Sequence, residues 1–444
     1  MLKQFSRNDF LTLAVLLVAL SVAALKVARH AEPPVFVVDS PLPRTKPLLK
    51  QPGQVLSPDG NFRFDAQFVS AAPGEAVHAA SMVELTNGDL RAVWFSGSRE
   101  GAADVTLQTA VMDVATGLWG SESTVIDRAQ LQRGLQRYVK KLGNPVIGRA
   151  TDGSLLLWMV NVSLGGWAGS SISWVRSIDE GRTWSRPQRL VTSPFLNIST
   201  LPKGAPIQMS DRHTGLPVYH EFFTKFAELL RLDANGKVVD KVRIPGSQTS
   251  LQPVVLVSST NNAQAYMRSG TALAVMTSTT SDAGRTWSDN RPTDWPNPDS
   301  AVAGVAMHSG TQWLALNPGH RNREQLALIQ TQLGGSFNGQ ALWRIEASVS
   351  PKARLSRPQY ERLLSEELAT AGTRPAQVKA YVASAMRQLC HGQECAQEYS
   401  YPYLLEGSDG SLHVIYTWHR TRIKHIRLDP LQPALAMVGS PPVQ

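Results

Sequence analysis

Cysteine is nearly absent: the 444-residue chain has two, Cys390 and Cys395. A disulfide framework is thereby excluded. The two thiols bracket His391-Gly392-Gln393-Glu394. That spacing suits one small disulfide loop in an oxidising compartment, or two inert thiols. A metal site with His391 as third ligand lacks a fourth partner nearby. No glycine-rich loop opens a helix, and no His/Cys/carboxylate spacing matches a metal centre, so no cofactor is expected. Charged residues make up only 18%, with a formal net charge of +9 and no basic run. Nucleic acid is therefore not an expected partner. The mild excess fits an acidic polymer, an anionic surface or a plain basic surface equally well. Wholesale disorder is excluded by a hydrophobic share of 42%.

Long apolar runs are limited to one, Phe10 to Leu25, with Lys3 and Arg7 before it and Lys26, Arg29 and His30 after it. At about 16 residues it has the length of a signal-peptide core and is slightly short for a membrane span. No clean small-x-small cleavage site follows, which favours an uncleaved signal anchor over residues 1–30. The flanking charges predict a cytoplasmic N-terminus and an exported remainder. The remainder is then either anchored outside the cytoplasm or secreted. Residues 31–60 are Pro-rich and read as an extended tether. Residues 431–444 read as a C-terminal tail.

What is plentiful is turn chemistry, with 33 Gly, 28 Pro and 11 Trp. A short turn leading into an apolar strand recurs at Asn87-Gly88-Asp89, Asp152-Gly153-Ser154 and Asp409-Gly410-Ser411. Each has the residues of a hairpin turn. A second repeat is more specific. Ser177-Ile178-Asp179-Glu180-Gly181-Arg182-Thr183-Trp184 returns as Thr280-Ser281-Asp282-Ala283-Gly284-Arg285-Thr286-Trp287. The Asp is placed to hold turn amides, the Gly to make the bend, and the Trp to pack the turn on its sheet. Degenerate copies sit near Thr116-Gly117-Leu118-Trp119 and Gly334-Gly335-Ser336-Phe337. One segment breaks the rhythm. Over about 356–393 the turns stop, and Leu363, Leu364, Leu368, Val378, Val382, Met386 and Leu389 recur at helical spacing. Arg374-Pro375 divides the segment into two helices.

The repeated [ST]-x-D-x-G-x-T-W phrase is an Asp box, and the sequence resembles the sialidase (BNR/Asp-box) superfamily over roughly Arg63 to Leu428. It looks most like bacterial predicted neuraminidases. Further phrases carry the likeness: Trp94-Phe95-Ser96-Gly97-Ser98-Arg99-Glu100-Gly101, Gly143-Asn144-Pro145-Val146, Leu251-Gln252-Pro253, Tyr399-Ser400-Tyr401-Pro402 and Tyr416-Thr417-Trp418. The resemblance implies an all-β, six-bladed β-propeller over 61–430 with the helical insertion inside it.

It also implies a site. A sialidase grips a sugar carboxylate with arginines, whose forked guanidiniums match it. It attacks with a Tyr activated by a Glu, and moves the leaving-group proton with an Asp. Carried over, Asp104 stands for the acid/base, Tyr401 for the nucleophile, and Arg268 and Arg323 for two of three arginines. Arg99, Asn144 and Arg420 are further candidates for substrate binding. Two positions depart. His78-Ala79-Ala80 stands where the first arginine's phrase is expected, and Gln252 stands for the Glu partner of the nucleophile. Gln cannot accept a proton. His78, as an acid/base, and Glu221, as the missing carboxylate, are candidates to compensate.

Three functions follow as expectations: an exported hydrolase of sialic acid or another acidic sugar in a glycan or surface polysaccharide, a non-catalytic carbohydrate-binding propeller tethered to the membrane, and a protein-interaction scaffold. The likeness to bacterial chains implies a place in the bacterial inner membrane facing the periplasm, or secretion to the periplasm. Asp104 serves the second and third readings as a strand-end cap, Tyr401 as a packing residue. The oligomeric state is left open.

Overall fold

The computed structural model describes residues 11–19, 21, 34–38, 55–56, 62–72, 75–193, 195–347 and 354–430. The tail lies outside these residues, and so does most of the tether. Of the tether, Phe36 is buried and bridged to Met209, and Val55–Leu56 pairs with Phe62–Phe68, so these stretches are docked on the fold where an extended tether was expected. Most of the run Phe10–Leu25 also lies outside the described residues, and its residues 11–19 form an exposed helical stretch. No helix among the described residues is long and apolar enough to cross a membrane, so they lend the expected anchor no support.

The chain is built of antiparallel sheets laid down in sequence order. Among the described residues, six of them have four or five strands. The first is built on Ala76–Glu84, Leu90–Gly97 and Thr106–Asp113, and the second on Lys141–Arg149, Leu155–Val162 and Ser170–Ser177. The third is built on Thr214–His220 and Phe226–Leu232, the fourth on Ser250–Val257, Ala263–Ser269 and Ala274–Thr280. The fifth contains Ala303–Ala306, Thr311–Leu316 and Leu326–Gln332. The sixth joins Tyr399–Glu406, Leu412–Trp418 and Arg422–Pro430 to an N-terminal strand, Phe62–Phe68. Phe62 pairs with Pro430 and Phe68 with Lys424, so the two ends of the fold share one sheet. The first strands of successive sheets touch, and that of the sixth touches that of the first. The fold is propeller-like.

Second strands such as Leu155–Val162 are buried along their whole length. Neighbouring sheets cover both of their faces, and such strands read as unbroken apolar runs. Separate apolar clusters fill the seams between sheets. The seam between the fifth and sixth sheets also takes Tyr360, Leu364, Leu368, Tyr381, Ala385 and Leu389 from two helices, Arg357–Thr370 and Pro375–Leu389. Ser356 and Gln359 form a capping box at the first, and Pro375 occupies the first turn of the second. Cys390 and Cys395 are joined as a disulfide at the exit, which removes the metal reading.

The two Asp boxes have the same internal geometry. In the second sheet, Asp179 accepts from Thr183 N at 2.9 Å and Thr183 Oγ1 at 2.6 Å, and in the fourth, Asp282 accepts from Thr286 N and Oγ1 at the same two distances. Each box also accepts an arginine from the preceding sheet. Arg91 Nε donates to Glu180 O at 3.0 Å, and Arg231 donates to Ala283 O at 3.2 Å. The boxes therefore fasten one sheet to the next, at the end away from the residues described below.

Candidate active site

Four first strands are broken in the same way. Their pairing register shifts between His78 and Ser81, Gly143 and Val146, Leu251 and Val254, and Ser400 and Tyr403. Inside each bulge one non-glycine residue is left-handed: Ala79 (φ 56°), Asn144 (φ 42°), Gln252 (φ 56°) and Tyr401 (φ 54°). A Pro follows three of the four, at 145, 253 and 402. Proline has no amide to give to a ladder, so a bulge is where a strand tolerates it. Bulges re-aim side chains, and strained backbone of this kind gathers at functional sites.

The bulges bring together Asn144, Gln252 and Tyr401 with Tyr219. Gln252 Nε2 donates to Tyr401 Oη at 3.3 Å and to Tyr219 Oη at 3.4 Å, and Asn144 Nδ2 reaches Tyr219 Oη at 3.5 Å. Gln252 is buried and its Oε1 has no partner. His78 is buried beneath Tyr401, the ring centroids 4.3 Å apart, and its Nδ1 is also unpaired. Burial, with the charges of Arg420, Arg323 and Lys203, pushes the His78 imidazole well below its usual range, so it is neutral.

Around this group runs an arc of alternating charge. Arg268 Nε lies 3.1 Å from Asp299 Oδ1, within ion-pair range though not aligned as a hydrogen bond. Arg323 donates to Asp299 O at 3.1 Å and faces Glu398 at 3.7 Å. Arg420 Nε is 2.9 Å from the same carboxylate. Both Arg268 and Arg420 feel the Tyr401 oxygen electrostatically. Three guanidiniums thus meet two carboxylates beside one phenol. Arg420 is left-handed (φ 54°), as is His419 (φ 47°). The helical pair holds this turn: Tyr360 Oη bonds His419 Nδ1 at 2.8 Å, and Gln388 Nε2 donates to Arg420 O at 3.1 Å.

The remaining candidates lie on loops at the same end of the sheets. Glu221 is half-buried and its backbone N donates to Ser199 Oγ. Burial pushes its carboxyl up, against the pull of Arg268 and Lys225. Asp104 is exposed and accepts from Ser98 N and Oγ, both at 3.0 Å. Arg99 is exposed on the same loop. Neither is among the bonded residues around Tyr401. The carboxylate of that loop whose field reaches Arg420 and Glu221 is Glu100. Sequence reading passed over Glu100, Tyr219, Asp299, Glu398 and Lys203. Only Lys203 carried a signal, since Lys203-Gly204-Ala205-Pro206 ends in a Pro like the other first-strand phrases.

The sequence profile of the BNR repeat-like domain family matches residues 88–414. The chain belongs to this sialidase-like BNR repeat family. No curated protein matches it. Among solved structures, the Hadza microbial sialidase Hz136 is similar, with 15% identity and a TM-score of 0.59 over 80% of this chain and 66% of its own. This chain thus spans just under two thirds of that sialidase. The intramolecular trans-sialidase from Ruminococcus gnavus, in complex with oseltamivir carboxylate, has 12% identity and a TM-score of 0.56, over 82% of this chain and 97% of its own. A protein of unknown function from Dyadobacter fermentans has 10% identity and a TM-score of 0.60, over 82% and 98%. At these identities the likeness is one of fold.

Proposed function

We propose that this chain is an exported glycoside hydrolase of the sialidase type, a six-bladed propeller that takes the carboxylate of sialic acid or another acidic sugar of a glycan. The observation that carries the proposal is the arc of Arg268, Arg323 and Arg420 around Tyr401. Arg420 supplies the guanidinium that His78 does not. A phenol suits attack on an acidic sugar, because it is uncharged until it gives up its proton in the step itself, whereas a carboxylate nucleophile would be repelled by the sugar's own acid group. Tyr401 Oη gives its proton to water and bonds to the anomeric carbon as the glycosidic bond breaks, and the leaving oxygen takes a proton from Asp104. A water then attacks the anomeric carbon, gives one proton back to Asp104 and leaves its hydroxyl on the sugar, while the departing phenol oxygen takes up a proton from water. Glu221, whose carboxyl is pushed up by burial, is the second candidate for the proton. Arg99 and Asn144 are proposed to border the bound sugar. Export to the bacterial periplasm agrees with the Cys390–Cys395 bridge, which persists in oxidising compartments.

The test is release of aglycone from aryl glycosides of sialic and uronic acids and of neutral sugars. Release from an acidic glycoside that disappears in Asp104→Ala and in Tyr401→Phe supports the proposal. Turnover that survives both substitutions sinks it. One observation favours a second reading, a carbohydrate-binding propeller without turnover. Gln252 is a hydrogen-bond donor to Tyr401 where a base is needed. Glycan binding with no release from any glycoside would select that reading.

A further inference from the structure

The first strand of the third sheet is interrupted. Leu201–Pro202 and Ile207–Gln208 both pair with Thr214–His220, and Lys203-Gly204-Ala205-Pro206 leave the ladder between them. Close packing keeps the excursion in place. A Cβ on Gly204 would lie 2.2 Å from Pro253 O, and one on Gly148 would lie 2.2 Å from the Pro206 ring. Ala205 packs into the cluster that holds Val77, Tyr403 and Ile415, between the first and sixth sheets. On the six-bladed reading the third and sixth sheets face each other, so these four residues cross the centre of the fold.

Lys203 completes the crossing. Its Nζ donates to Pro402 O at 3.0 Å, and lies 5.7 Å from the ring centroid of Tyr401 and 5.6 Å from that of Tyr403. The residue is 5% exposed. Its ammonium has three donors and, among the described residues, one acceptor and no carboxylate partner. Burial pulls the amine down to about 7. A methionine would fill a similar space at no electrostatic cost, and buried charges are often replaced by apolar residues without loss of stability. Stability therefore gives no reason for a lysine here. The lysine fixes the peptide next to the left-handed Tyr401, and below about pH 7, where its amine is charged, it puts positive charge against the Tyr401 ring.

We propose that Lys203 is the positioning residue of Tyr401: it holds the Tyr401-Pro402 bulge, and its ammonium favours the phenolate that Gln252 cannot generate. No proton passes to Lys203. The phenolic proton goes to water, and the ammonium offsets the charge left on the oxygen. The inference rests on Tyr401 as nucleophile, and its test needs no substrate.

Tetranitromethane nitrates phenolates, so the nitration rate of Tyr401 at about pH 6, where the Lys203 amine is charged, read by peptide mass spectrometry on the full chain, reports how readily it ionises. Lys203→Met is expected to slow that rate about tenfold, with a melting temperature unchanged or raised. Lys203→Arg, which keeps the charge, is expected to retain most of the rate. Lys203→Gln keeps a donor for Pro402 O without the charge, and replaces Lys203→Met should that variant not fold. Wild-type nitration in a folded Lys203→Met or Lys203→Gln overturns the proposal. So does a lowered melting temperature with unchanged nitration, the outcome of a purely structural role. Turnover that survives Tyr401→Phe would instead remove the nucleophile reading, whatever the nitration shows.

Discussion

The imidazole of His78 lies obliquely on the phenol of Tyr401, at 54° between the planes. Contact of this kind depends on the ring and not on the hydroxyl. Tyr401→Phe is therefore expected to leave the melting temperature within about 2 °C. Turnover of an aryl sialoside should fall about a thousandfold or more in kcat with little change in KM. Steady-state kinetics and a thermal melt check both. A large rise in KM would mean that the hydroxyl binds substrate and does not attack it.

Arg420 and Arg323 share Glu398, which is 8% exposed and accepts a further bond from Ser400 Oγ. Removing one guanidinium leaves that buried carboxylate under-paired. Arg420→Met is expected to destabilise the protein by about 3 kcal/mol and to weaken binding of an acidic sugar by about tenfold to a hundredfold. Adding Glu398→Gln should restore stability but not affinity. Denaturant titration and calorimetric binding separate the two. Recovery of affinity in the double variant would mean that Arg420 serves only Glu398.

A one-way chain of hydrogen bonds crosses the seam between the first and sixth sheets. Trp119 Nε1 can only donate, so His425 Nδ1 accepts from it, at 3.2 Å. His425 Nε2 then donates to His413 Nδ1 at 2.9 Å, His413 Nε2 to Ser411 Oγ at 2.8 Å, and Ser411 to Asp409 at 2.5 Å. Every link needs neutral imidazoles. Burial, with Arg427 adding to it, pushes His413 down to about 3, and burial with the charges of His413 and Arg427 pushes His425 well below its usual range. Both folded values lie below the unfolded value of 6.5, so this stability is complete above pH 6.5 and is lost as pH falls below it, for His413 toward pH 3. The His413 imidazole contributes a slope of about 1.4 kcal/mol per pH unit in that window. Urea midpoints between pH 7 and pH 4 are expected to fall steeply, and less steeply in His413→Gln. Equal slopes would show that the seam does not titrate.

The Asp boxes give a contrast between stability and activity. Asp179 and Asp282 hold equivalent turns far from Tyr401. Asp179→Ala and Asp282→Ala are expected to lower the melting temperature by similar amounts and to leave kcat/KM of the folded protein unchanged. A selective loss of turnover in either would tie the boxes to the site.

Much of the fold was written locally in the sequence. The Asp boxes and the Asn87-Gly88, Asp152-Gly153 and Asp409-Gly410 turns are short stretches whose own side chains satisfy their own backbone, so they read the same in any context. The two helices announced themselves by apolar spacing and by Pro375. The buried Tyr360 and Tyr381 of their inner faces did not stand out, because tyrosine is common on surfaces too. The phrases ending in Pro145, Pro253 and Pro402 marked three of the four bulges, but the Pro alone did not say that the residue before it is left-handed.

What the sequence by itself determined is the repeating sheet unit, the family and the residue types of the candidate site. The tertiary structure alone decided which of them meet. Arg268, Arg323 and Arg420 come from three sheets, Asp299 and Glu398 join them only in space, and Lys203 reaches Pro402 from 199 residues away. Contacts between separate sheets depend on how the first strands are gathered and on which residue each bulge turns inward. No local pattern encodes that arrangement, because its energy arises only when the sheets pack together.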